Sequence, residues 1–157
     1  MKLIFLGTSS GFPDTERHFS GYLIESDETR FVIDAGDGQV RQWMKTGIEP
    51  GKTEAVFISH THPDHASGLF SLIQWMHLEK RVNPLNLYLP KGLKEKFFDC
   101  LHFFHLYPEH LNFPLIIHEI IDKQQFRIGT IVIQSIQNHH LDKNAVFAAT
   151  HQMQALG

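Results

Sequence analysis

Short apolar runs, each closed by Gly, Pro or polar residues, set the rhythm of the chain. Seven of them read as strands: Leu3 to Leu6, Tyr22 to Glu25, Phe31 to Asp34, Ala55 to Ser59, Asn86 to Leu89, Leu115 to Ile120 and Ile131 to Ile136. The first and fourth are apolar throughout, the pattern expected of strands buried on both faces. Between the runs the period lengthens and predicts three helices. Asp37 is the expected cap of one with Val40, Trp43 and Met44 inward and Gly47 as its stop. Leu69, Leu72, Ile73 and Met76 recur at helical spacing and predict a second from about Ala66 to Lys80. Leu93, Phe97, Leu101 and Phe104 predict a third, with Lys94, Glu95 and Asp99 outward. Strands and helices intermingle and strands outnumber helices, so the class is α/β or α+β with a mixed sheet.

Composition narrows the picture. The 157 residues are 42% hydrophobic and 20% charged, which excludes disorder, collagen-like repeats and coiled coil and leaves one globular unit. A net charge of −3 excludes a molecule built overall as a polycation for nucleic acid. Cys100 stands alone, which excludes a disulfide framework and fits a reducing compartment. The opening apolar run is too short for a signal peptide and nothing later approaches a membrane span, so a cytoplasmic protein without membrane contact is expected. Twelve histidines are several times the roughly one in forty of an average chain.

The histidines concentrate where the fourth apolar run ends, at Ser59-His60-Thr61-His62-Pro63-Asp64-His65. In extended chain His60 and His62 point to the same side and can reach one metal ion. Pro63 favours extended chain before it and a turn after it, which swings Asp64 and His65 toward the same cavity. Four ligand candidates within six residues suit two ions better than one. Even with this histidine content, chance would produce the pattern about three times in a thousand. A third histidine ligand is expected from another strand end, where Asn138-His139-His140 follows the last run; the spacing favours His140, with His139 the alternative. His-rich ligation points to zinc, and the mixed imidazole and carboxylate set would also accept manganese or iron.

These motifs resemble the metallo-β-lactamase-fold hydrolases and, within them, the ribonuclease Z-like branch. Leu6-Gly7-Thr8-Ser9-Ser10-Gly11-Phe12-Pro13 resembles its glycine-rich opening loop, and Asp34-Ala35-Gly36-Asp37-Gly38 its acidic strand-end motif. The stretch from Ile58 to Leu69 resembles its metal motif and following helix. The resemblance implies an αββα sandwich with mixed sheets flanked by helices. It implies that His60, His62 and His140 hold one zinc ion and that Asp64 with His65 holds a second. Family members add a bridging Asp and one more His from the later half of the domain, so residues 1–157 are expected to form a single domain incomplete at its C-terminus. Homodimers are frequent in the family, and the Phe103 and Phe104 region is the expected contributor here.

The chemistry expected of such a site is hydrolysis by metal-bound hydroxide, the paired ions lowering the pKa of a shared water toward neutrality. Phosphodiesters, of RNA or of a small cyclic phosphate, are the favoured substrates. The alternatives are a lactone, thioester or β-lactam, or a metal-binding fragment without catalysis. Asp64 is the expected proton handler as well as ligand. Asp34 is a candidate acceptor that fixes the His60 and His62 tautomers, or else a turn carboxylate. Arg17 with Thr8, Ser9 and Ser10 could hold a substrate phosphate or form an ordinary surface loop. After Pro13 the tRNA-processing enzymes carry a basic residue and then Arg-Asn, whereas this chain reads Asp14-Thr15-Glu16-Arg17-His18, which disfavours transfer RNA. His102 and His105 are expected to be solvated, Cys100 to be a buried filler, and Trp43, Trp75 and the phenylalanines to be core rather than base-stacking groups.

Overall fold

In the computed structural model, which describes residues 1–12 and 14–138 and the backbone of a last strand, the strands form two sheets. The first runs in chain order: β1 (Lys2–Gly7), β2 (Gly21–Ser26), β3 (Thr29–Ile33), β4 (Ala55–Phe57), β5 (Leu85–Pro90) and β6 (Leu115–Ile120). The first three strands are antiparallel, and β3 to β6 are parallel. A tight turn with Asp27 at φ 51° closes the β2–β3 hairpin. The parallel strands need longer crossovers, and helices supply them: α1 (Gln39–Thr46), α2 (Pro63–Ala66), α3 (Leu69–Leu78) and α4 (Lys94–Phe103). The second sheet is the antiparallel set β7 (Gln125–Ile128), β8 (Ile131–Asn138) and β9 (Val146–His151).

Alternation along the strands divides the interior into two cores. Leu23, Val32, Val56 and Leu87 face the helices and meet Trp43, Leu72, Ile73, Met76 and Leu101. Their neighbours Ile24, Phe31, Phe57 and Tyr88 face the second sheet and meet Phe126, Ile128, Ile131 and Ile133. Phe57 is the hub of that second core, stacked on Tyr88 at 4.2 Å with Phe31 and Phe126 edge-on at 5.7 and 6.0 Å. The α3 side chains Leu69, Leu72, Ile73 and Met76 are all buried, as their spacing predicts, and each contributes about 1.5–3 kcal/mol.

Several expectations require correction. β1 is an edge strand, not one buried on both faces: Leu3 is 51% and Phe5 62% exposed. β4 stops at Phe57, so Ser59 belongs to the loop beyond it. Asp37 does not cap α1; Gly38 occupies the cap at φ 81°, without a side-chain bond, and Met44 is exposed while Gln39 is buried. Gly47 does end the helix in the left-handed conformation. The second predicted helix is broken at Ser67–Gly68, because the Gly68 amide donates to the Ala35 carbonyl at 2.8 Å. Cys100 is exposed on α4 rather than a buried filler, and Phe104 lies past the helix end, also exposed. Among the described residues no helix is long and apolar enough to cross a membrane.

Candidate metal centre

The carboxyl ends of the adjacent parallel strands β3 and β4 meet at Asp34 and Ser59. Asp34 is 3% exposed and sits at φ 60°, a conformation that Asp tolerates better than most residues. One carboxylate oxygen accepts the Ser59 amide at 2.8 Å, and the other accepts the Ser59 hydroxyl at 3.0 Å. That second oxygen also lies 2.6 Å from His65 Nδ1. A buried carboxylate therefore reaches across 31 residues of sequence to the far end of the histidine motif.

The network sets imidazole tautomers. His65 Nδ1 faces a carboxylate and must carry a proton there, which leaves Nε2 to face Asp64 Oδ2 at 3.4 Å. Ser59 gives its hydroxyl proton to Asp34, so its oxygen accepts from His60 Nδ1 at 3.0 Å. His60 then presents the lone pair of Nε2 toward His62 Nδ1, 3.1 Å away. Two donors at about 2.0–2.1 Å from one tetrahedral ion are about 3.3 Å apart, so both pairs have a chelating spacing. His60 is buried, and its ring centroid lies 4.7 Å from that of His62 and 4.1 Å from that of His65.

The motif reaches this position through a glycine contact. A β-carbon on Gly68 would overlap the Gly36 carbonyl oxygen, and one on Gly36 would overlap the Asp64 carbonyl. Two bare backbones thus pack face to face and press α2 onto the end of β3. The Ala35 amide seals the contact by donating to the His65 carbonyl at 2.7 Å.

The structure places His60 beside His62 and Asp64 beside His65, and adds Ser59, which sequence reading passed over although it directly precedes the motif. His139 and His140 lie outside the described residues. Among the described residues the donors form two pairs, and no group of three closes on one point. Asp34 has the geometry of a positioning group, but its direct partner is His65; among the described residues it reaches His60 through Ser59. The Arg17 guanidinium is engaged by Asp14 at 2.7 Å, and Ser9 Oγ donates to the Phe12 carbonyl, so the opening loop is held by its own contacts. The Glu16 amide and then Arg17 keep the Asp14 carboxyl below its ordinary pKa. His102 is exposed, and His105 has left the helix at φ 56° to meet the Tyr107 hydroxyl.

A family model described as Anti-Pycsar protein Apyc1 matches residues 1–154. The chain belongs to the Apyc1 family. A ribonuclease Z from Methanococcus aeolicus is 37% identical over 128 residues, covering 82% of this chain and 39% of that relative. The chain thus spans about two-fifths of the relative's length. Human tRNase Z, short form, superposes with a TM-score of 0.80 at 23% identity, over 96% of this chain and 65% of its own. YhfI of Bacillus subtilis, a metallo-β-lactamase fold protein, gives 0.77 at 21%, over 96% and 56%. This Apyc1 family chain therefore has the metallo-β-lactamase fold, and it is similar in sequence to part of ribonuclease Z.

Proposed function

We propose that the chain carries the metal-binding half of a phosphodiesterase site, acting on RNA or a small cyclic phosphate. The supporting observation is the Asp34-centred network, which turns His60 Nε2 toward His62 and His65 Nε2 toward Asp64. Such orientation of imidazoles by a buried carboxylate is the arrangement that metal-ligating histidines require. His60 and His62, with His140, would hold one ion, and Asp64 with His65 the other. Zinc suits the donors best, with manganese or iron the alternatives. Bound there, divalent ions supply Lewis acidity and a nucleophile at neutral pH.

The protein's own part is positional. Asp34 and Ser59 fix the two ring orientations before any ion arrives. Asp64, half-buried at the start of α2, has a second carboxylate oxygen with which to accept the proton released in hydrolysis. The ribonuclease names of the relatives support RNA, while the acidic opening loop with its Asp14–Arg17 pair argues against transfer RNA in particular. The lone cysteine supports a cytoplasmic setting, and a homodimer is the proposed assembly.

Metal content by mass spectrometry of wild type and His62→Ala tests the site, and a panel of bis-p-nitrophenyl phosphate, a thioester and nitrocefin tests the reaction. Wild type should retain ions, lose activity in chelator and favour the phosphate ester. Unchanged metal stoichiometry in His62→Ala would refute the ligand assignment.

A further inference from the structure

Three consecutive carbonyls just ahead of β2 each receive a donor from a different segment. The His18 carbonyl accepts the Ser9 amide at 2.9 Å, the Phe19 carbonyl accepts Gln39 Nε2 at 2.8 Å, and the Ser20 carbonyl accepts the Gly36 amide at 3.0 Å. Residues 18–20 therefore strap together the opening loop, the start of α1 and the end of β3. Both outer attachments lead to Asp64. A β-carbon on Gly36 would overlap the Phe19 side chain and the Asp64 carbonyl, so all three are in contact there. On the other side, the opening loop passes Asp64 so closely that a β-carbon on Gly11 would stand 3.8 Å from Oδ2. The strap thus borders Asp64 at its backbone and at its carboxylate.

The middle attachment is a side chain, and an expensive one. Gln39 is 1% exposed, and its Oε1 has no hydrogen-bond partner among the described residues. Burying an amide with half of it unpaired opposes folding, so stability alone does not account for a glutamine here. The surroundings are nevertheless cut to fit it. A β-carbon on Gly21 would overlap the Gln39 amide, and one on Gly7 would overlap the Phe19 carbonyl. Gly7 and Gly21 are partners across β1 and β2, so two bare backbones shape the slot in which the amide meets the carbonyl. What the buried glutamine provides is a fixed place for the strap.

We propose that Gln39 is a positioning residue for the metal centre: by holding the Phe19 carbonyl it keeps residues 18–20 in place, and through them the opening loop and Gly36 against Asp64. This rests on the metal-site reading above. Gln39 itself touches neither ion nor substrate.

Gln39→Met keeps the length of the side chain and removes its donor. It deletes one unpaired acceptor, Oε1, and leaves another, the Phe19 carbonyl, so the melting temperature should stay near that of wild type. Amide hydrogen exchange in chelator should quicken at Ser9 and Gly36, while Val56 in β4 and Leu87 in β5 keep their protection. Zinc affinity, read by competition with a chelating dye, should fall about tenfold. Gln39→Leu, which also lacks the donor, is the second variant and should behave alike. A lower melting temperature with faster exchange throughout the sheet would mark a merely structural residue and overturn the proposal, as would failure of both variants to fold. Wild-type exchange at Ser9 and Gly36, or wild-type zinc affinity, would overturn it too. Faster exchange at those two amides, in a protein whose wild type takes up no zinc, would support the strap and overturn the metal-site reading instead.

Discussion

Asp34 is the residue on which the site turns, because one carboxylate aligns His65 directly and His60 through a hydroxyl. Asp34→Asn keeps the shape and suits the left-handed backbone, but lacks the charge and one acceptor. Zinc affinity, read by competition with a chelating dye, should fall about 10- to 100-fold. Burial alone would lower the His65 pKa, but the Asp34 hydrogen bond and charge, with Asp64 behind them, raise it above its ordinary value of 6.5. A raised pKa means that this pair stabilises the ion-free protein fully below about 6.5, and that the gain is lost as pH rises through the folded value. Ion binding runs the other way, since the proton on Nε2 must leave. Between pH 6 and pH 8 the melting temperature in chelator should therefore fall, less so in Asp34→Asn, while zinc binding tightens. A melting temperature with the same pH dependence in both proteins would contradict this. The histidine motif was legible in the sequence because its members are neighbours. The Asp34–His65 bond was not, because it joins two strand ends that only the sheet brings together.

At the scale of elements, the break between α2 and α3 is structural necessity rather than irregularity. Gly68 diverts its amide to Ala35 and leaves no room for a β-carbon against Gly36. Gly68→Ala should destabilise by about 2 kcal/mol or more in urea unfolding and weaken metal retention, since α2 carries Asp64 and His65. Gly47→Ala meets open space and pays only for its φ of 70°, so about 1 kcal/mol is expected. The central strands were readable because buried runs are apolar without interruption. The same rule misread β1, whose run of apolar residues does not reveal that one face lacks a cover. β7 escaped notice because Gln125–Ile128 shows only two apolar residues in alternation, too few to separate from a turn. Asp37 looked like a cap by residue type, but Gly38 takes the terminal conformation that admits no side-chain bond.

Across the whole molecule, Arg81 ties together the end of the sheet opposite the metal centre. The residue is 3% exposed, and its guanidinium donates to the carbonyls of Pro50, Thr53, Asn83 and Pro84 at 2.6–2.8 Å, just ahead of β4 and β5, and lies over the Phe113 ring. Burial lowers its pKa to about 10, so it stays charged at neutral pH. Arg81→Ala would leave four carbonyls without this donor and should cost about 3 kcal/mol or more in denaturant unfolding, while the zinc stoichiometry of the folded fraction is unchanged. Nothing in the sequence marked Arg81, because an isolated arginine after a helix reads as surface until the carbonyls around it are known. The knot at Arg81 and the ligand loops occupy opposite poles of the same parallel strands. Durability and reactivity are thus anchored separately, and a hardier variant can be sought at one pole without retuning the other.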